Sequence, residues 1–294
     1  MIKTPLTFAV TMLLAVTATP VLATPVCGDT ARIAQLQADL HDSTGPVLIA
    51  SHRGGHLNAP ENALAAVDEA VANGADVLEI DVRVSRDGVP FIMHDSTVDR
   101  TTNGTGLAED MTYAELRALR LKGGDTPPPS LVEMLRRSCG RILVDLDMKT
   151  DRVAPVMAVV EGLGMADQVI VFDSDSETLR EARRLLPAIA VMTRLRPDAT
   201  LAEKNRGLFP VAIVHGDTET LDHDASEAIA AIPARIWANA LGDIDTLLPD
   251  AWAACSALDD LAKRGVSVIQ TDYPRLLRAR IATCRARAVE GQVQ

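Results

Sequence analysis

Short apolar runs recur along the chain, and between them lie stretches with helical spacing. Val47–Ser51 and Val77–Asp81 come first. They are followed by Ile142–Val144, Val169–Phe172, Ile189–Met192, Val211–Val214, Arg235–Trp237 and Val266–Ile269. Each run is short and continuously apolar rather than alternating, the mark of strands covered on both faces. A plausible helix precedes each of the last seven; the first of these spans Pro60–Asn73, with Asn58 as its cap and Gly74 as its stop. Eight strand–helix units predict an α/β fold, a (β/α)8 TIM barrel. A doubly wound open sheet is the alternative. No GxGxxG or GxxxxGK[ST] follows any strand, so nothing points to a nucleotide site.

One stretch breaks the rhythm, from about 91 to 130. Phe91–His94 reads as an extra strand, Asp99–Leu107 as a Gly-rich loop and Met111–Leu121 as a short helix, followed by a Thr-Pro-Pro-Pro turn at Thr126–Pro129. This is a small insertion after strand 2, on the carboxyl face where barrel sites form.

The amino terminus reads differently. Lys3 precedes an 11-residue apolar run, Leu6–Val16, too short to span a bilayer, and Val21-Leu22-Ala23 fits a cleavage site. Residues 1–23 are therefore expected to be a signal peptide, with 24–294 as the barrel domain. The exported protein would be secreted or periplasmic, with no stable membrane insertion. No lipobox precedes Cys27. The 294 residues carry a net charge of −11, and loss of Lys3 makes it −12. That excess of acid argues against a nucleic-acid partner. It also means a phosphate-bearing ligand needs a local positive centre. Export makes disulfides plausible among Cys27, Cys139, Cys255 and Cys284. A Cys27–Cys284 pair tying the ends together is expected, with Cys139 and Cys255 as buried thiols or a second pair. Their spacing is not that of zinc ligands. The tail after Arg280 reads as a frayed helix.

Candidate chemistry sits at the strand ends. Glu79 and Asp81 are two apart and so share one face of the second strand; Asp145 and Asp147 repeat the spacing on the next. Acids in strands buried on both sides are costly unless paired or metal-bound. All-oxygen ligands suit Mg²⁺ or Ca²⁺. The other way to accommodate them is an ion-pair network with Lys149 and Arg83. His52 and His94 form a natural acid–base pair. Arg53 and Lys149 could hold phosphate oxygens.

Several segments then stand in a specific order: His52-Arg53-Gly54-Gly55, Ala59-Pro60-Glu61-Asn62, Gly74–Val82, Asp87-Gly88, His94-Asp95 and Asp99–Gly104. Together they resemble the glycerophosphodiester phosphodiesterase family. Pro129-Ser130-Leu131, Asp147-Met148-Lys149 and Thr271-Asp272-Tyr273-Pro274 are weaker matches, and the likeness spans about 47–280. The resemblance implies a TIM barrel with a divalent cation on Glu79, Asp81 and Asp147. It implies His52 and His94 as acid and base, and Arg53 and Lys149 on phosphate. Glu61 and Asn62 would shape the mouth, and Trp237 would lie on the substrate side. It implies cleavage of small-molecule glycerophosphodiesters to sn-glycerol 3-phosphate and an alcohol. Three positions depart from the family pattern: Asp147 replaces Glu, Ala63 replaces Thr, and Trp237-Ala238-Asn239 is shorter than Trp-Thr-Val-Asn. The shorter Asp147 leaves room for a water, or for help from Asp145. Two alternatives remain: a phospholipase D-type barrel enzyme acting on lysophospholipids, and a catalytically silent periplasmic binding protein.

Overall fold

The computed structural model describes residues 30–197, 200–208 and 210–291, so the expected signal peptide and Cys27 lie outside the described residues. The chain runs α1 (Thr30–His41), β1 (Leu48–Ser51), α2 (Leu64–Ala72), β2 (Val77–Val84), β3 (Pro90–Ile92), α3 (Tyr113–Ala118) and α4 (Leu131–Ser138). It continues through β4 (Leu143–Met148), α5 (Val153–Gly162), β5 (Val169–Asp173), α6 (Ser176–Leu185), β6 (Ala190–Arg194), α7 (Leu201–Lys204) and β7 (Ile213–His215). The last elements are α8 (His223–Ala230), β8 (Arg235–Asn239), α9 (Asp243–Leu247), α10 (Ala251–Lys263), β9 (Val266–Thr271) and α11 (Pro274–Gly291).

Among the described residues, β1, β2 and β4–β9 pair in parallel, and β1 meets both β2 and β9, which closes the barrel. Every strand is covered by helices outside and side chains inside, which is why the runs read as continuously apolar. Between strands and helices lies one large apolar shell, from Val67 and Leu78 round to Leu261 and Leu277. A smaller cluster fills the barrel interior, including Leu48, Val77, Leu143, Ile170, Ile213, Trp237 and Val268.

Helix α1 was not foreseen. Its Ile33, Leu36 and Leu40 lie on one stripe and close the interior cluster. Arg235, buried at the start of β8, donates to the Asp39, Pro46 and Ser267 carbonyls and ties the end of α1 to the strands.

The expected insertion is present. β3 turns back antiparallel on the end of β2, pairing Val82 with Ile92 and Val84 with Pro90. The predicted Met111–Leu121 helix is shorter, because Thr112 and Glu115 form a capping box that starts it at Tyr113. Ser130 and Glu133 do the same for α4.

Two further expectations are corrected. The helix expected over Pro60–Asn73 begins only at Leu64, and Asn58 is not its cap; its amide donates to Glu69 instead, 2.9 Å away. The preceding residues are diverted into the site below. Cys284 bonds Cys255, not Cys27, because α10 and α11 pack side by side and bring the two Cα atoms to 5.3 Å. Cys139 is disulfide-bonded too, so neither it nor Cys255 is a free thiol.

Candidate active site

The carboxylates come from two adjacent strands in perfect register. Glu79 on β2 lies opposite Asp145 on β4, and Asp81 opposite Asp147. Period-two geometry sends all four inward. Ligand-capable oxygens of Glu79, Asp81 and Asp147 lie within 4.8 Å of one another. Burial, then the charge of Asp81, pushes Glu79 well above the usual carboxylate range. Burial also raises Asp147, to about 6; Lys149 tempers the effect and Asp81 adds to it. Asp145 is raised by burial and by Asp147, and its Oδ1 has no hydrogen-bond partner among the described residues.

Cationic and amide groups answer part of this charge. Lys149 Nζ is 2.7 Å from Asp147 and 3.4 Å from Asp81, and Arg53 Nε is 3.4 Å from Asp81. The Arg53 backbone N–H donates to Glu79 at 2.9 Å. That contact depends on the turn after β1, where Arg53 takes a left-handed φ of 49°. Gly54 follows it with its Cα packed so close to Ala66 that a Cβ would sit 2.3 Å away. Asn62, also left-handed, donates its amide to Asp81 at 2.8 Å, and its Oδ1 accepts the Asp81 N–H. Holding Asn62 there delays the start of α2. Gln270 on β9 donates to Glu79 at 3.2 Å.

Two imidazoles line the same cavity, of about 160 Å³, along with Arg53 and all four acids. His52 Nδ1 is 2.8 Å from Asp272, and His94 Nδ1 is 2.7 Å from Asp95. Burial works to raise Asp272, but hydrogen bonds from His52 and His56 outweigh it and hold the carboxyl low. The Arg100 hydrogen bond, with His94 behind it, holds Asp95 low. Ionised carboxylates only accept, so each Nδ1 carries the proton and each Nε2 is left for the cavity.

A relay of ion pairs sets the rim: Asp95 to Arg100 at 2.6 Å, Arg100 to Glu61 at 2.7 Å, and Glu61 to Arg53 at 3.0 Å. Burial favours a protonated Glu61, but the two arginines overcome it and keep it ionised. Glu61, expected at the mouth of the site, is held as a clamp between the two arginines. Trp237, expected on the substrate side, is not among the residues lining this cavity. It is 0% exposed in the barrel core, and its indole N–H is 3.2 Å from both Asn239 and Gln270. It reaches Glu79 only through Gln270. Lys149 also lies behind the lining, on Asp147.

Sequence reading missed several supporting residues. Arg83 was a candidate partner for the acids, yet it donates to the backbone carbonyls of His94 and Lys149 and so fixes both. Asp245, raised to about 6 by burial, accepts from Thr271 and from the Asp272 N–H and orients the histidine's carboxylate. Asp272 was legible only within its Thr-Asp-x-Pro motif. Gln270, His56, His215 and Arg194 gave no local signal.

The far wall, from β5 to β8, is formed by Phe172, Met192, Arg194, His215, Asn239 and Leu241. Fold and site together define a (β/α)8 barrel protein whose carboxyl rim joins a cluster of convergent carboxylates, able to hold a metal ion, to two carboxylate-backed histidines. The chain belongs to the glycerophosphoryl diester phosphodiesterase family, whose pattern matches residues 52–235. Glycerophosphodiester phosphodiesterase 1 of Bos taurus is 54% identical over 69 residues, 24% of this chain. The chain spans about a fifth of that protein's length, 21%. A crystal structure of a glycerophosphodiester phosphodiesterase from Agrobacterium tumefaciens is 30% identical, with a TM-score of 0.67, covering 79% of this chain and 99% of that one. A phosphodiesterase from Oleispira antarctica, solved with the product sn-glycerol 3-phosphate, shares the fold at 24% identity and a TM-score of 0.69, covering 80% and 96%.

Proposed function

We propose that the protein hydrolyses glycerophosphodiesters to sn-glycerol 3-phosphate and an alcohol, with His52 and His94 as general acid and base. One observation carries this reading: two carboxylate-backed imidazoles face one cavity floored by three convergent carboxylates. Family membership and the product found in the Oleispira structure support it.

The acid cluster fits a divalent cation, Mg²⁺ or Ca²⁺. Its donors are all hard oxygens, and burial raises the proton affinity of Glu79 and Asp147, a cost that a bound dication would offset. Glu79, Asp81 and Asp147 would hold the ion, which supplies charge neutralisation at phosphorus and lowers the pKa of a hydroxyl. Arg53 faces the cavity with its guanidinium between Glu61 and Asp81, placed to take a phosphate oxygen. Lys149 keeps Asp147 ionised. One imidazole Nε2 removes the proton of the attacking hydroxyl. The other, which starts as the imidazolium, gives its Nε2 proton to the departing alkoxide; where the glycerol 2-hydroxyl attacks, water then opens the resulting cyclic phosphate with the two histidine roles exchanged. Asp272 and Asp95 stabilise each imidazolium as it forms.

Chelation tests the cation. Dialysis against a chelator should abolish release of sn-glycerol 3-phosphate, and Mg²⁺ or Ca²⁺ should restore it. Full turnover by stripped protein would refute the cation's role.

Export belongs to the same proposal. The Cys255–Cys284 disulfide supports an oxidising compartment. Among the described residues no helix is long and apolar enough to cross a membrane. Sequencing the secreted or periplasmic protein should find Thr24 at its amino terminus.

A further inference from the structure

One buried polar group of the cavity has no task in this chemistry. His215 ends β7 and lines the wall opposite the acid cluster, at 2% exposure. Among the described residues neither of its ring nitrogens has a hydrogen-bond partner. The nearest carboxylate oxygen, on Asp217, is 4.0 Å from Nε2, and Asp217 is occupied by Arg194 at 2.7 Å. Phe172 and Trp237 flank the ring, with centroids at 5.2 and 6.3 Å. Burial, then the charge of Arg194, pushes the imidazole down to about 3, so it is neutral at working pH.

A neutral imidazole offers one donor and one acceptor. Buried polar groups are normally satisfied, so a buried imidazole in a cavity wall with neither nitrogen partnered points to a partner that arrives with the ligand. The two nitrogens point apart, so a ligand hydroxyl meets one of them, and it suits either because it both donates and accepts. The cavity is small, about 160 Å³, and His215 lies in its wall on β7, across the barrel from the acids of β2 and β4. A site of this size encloses the small glycerol part of a diester and leaves a variable headgroup toward the mouth.

We propose that His215 is the residue that reads the glycerol, by hydrogen-bonding its free terminal hydroxyl, and that it thereby selects deacylated diesters over lysophospholipids. This rests on the hydrolase reading above and deepens it. An acyl ester at that oxygen removes the donor and adds bulk against Phe172 and Met192. His215 is a binding residue only; it exchanges no proton with substrate.

The test compares glycerophosphocholine with its analogue lacking the terminal hydroxyl, and with lysophosphatidylcholine, on the full chain with Mg²⁺ or Ca²⁺. Wild-type kcat/KM should fall about 10–100-fold on the deoxy analogue, the cost of leaving a buried polar group unpaired. It should fall further on the lysolipid. His215→Leu should lose a similar factor on glycerophosphocholine and discriminate less than about 3-fold between it and the deoxy analogue. His215→Asn, which still donates and accepts, should recover part of the discrimination. Equal wild-type turnover of both diesters overturns the proposal without any variant, and so does a folded His215→Leu that keeps wild-type discrimination. Calorimetry with sn-glycerol 3-phosphate and its deoxy analogue repeats the comparison without turnover. Discrimination in binding with no product release would sink the hydrolase reading and leave the subsite standing.

Discussion

The two halves of the barrel mouth are built on opposite principles. On the β1–β4 side, acids stand in register on neighbouring strands, and nearly every polar atom is held by a second group: Asn62, Gln270, Arg53 and Lys149 on the carboxylates, Asp272 and Asp95 on the imidazoles. On the β5–β8 side the wall alternates apolar Phe172, Met192 and Leu241 with polar Arg194, His215 and Asn239, and both nitrogens of the buried histidine lack a partner among the described residues. The first half is preorganised for charge and proton transfer. The second offers shape and a few hydrogen-bonding groups, of which only His215 is buried. Chemistry and recognition are thus divided between halves of one barrel.

Breaking the charged half should cost most. His52→Ala and His94→Ala should each lower kcat by about 10²–10⁴-fold, measured as sn-glycerol 3-phosphate release. Wild-type turnover in either variant removes that residue from the reaction. Asn62→Ala should lower cation affinity about 10–100-fold, read by activating-metal titration, because Asp81 loses the group that orients it. A titration curve unchanged from wild type would reduce Asn62 to a turn residue.

The acids' cost should also be visible as stability. Asp147 and Asp245 are raised to about 6, and Glu79 and Asp145 are raised in the same direction. The folded protein therefore binds more protons than the unfolded chain near pH 4–6, and its stability falls as pH rises through that range. Asp272 and Asp95 are shifted the other way, and their contribution is lost only at lower pH, below the ordinary carboxylate range. Cation-free protein should thus gain several degrees in Tm on going from pH 7 to 5. Mg²⁺ or Ca²⁺ at pH 7 should supply the same gain. A Tm that falls over this interval would show the acids to be compensated already. The smallest effect is expected at the join of the two halves. Trp237→Phe keeps the ring but removes the N–H facing Gln270, so kcat/KM should drop about 3–10-fold, the range of one neutral hydrogen bond. A loss as large as that of the histidines would place Trp237 in contact with the substrate after all.

The charged half was nearly all legible beforehand. Glu79, Asp81, Asp145 and Asp147 were visible because acids are out of place in strands that should be apolar. His52 and His94 were visible because each closes such a run. The other half was silent. His215 follows an ordinary apolar strand, and Arg194 and Gln270 look like surface residues until the barrel closes.

What the linear order determined was the repeat of eight strand–helix units, the inserted hairpin, and which side chains face inward, because these depend on local period and turn chemistry. The three-dimensional packing alone decided which distant groups meet: Asp272 with His52 across 220 positions, Gln270 with Glu79 across 191, and Cys284 with Cys255 rather than with the amino-terminal cysteine. Closure of β9 onto β1 makes the first two contacts, and the packing of α10 on α11 makes the third. No local pattern encodes such meetings, since each depends on the register of strands or the packing of helices drawn from remote parts of the chain.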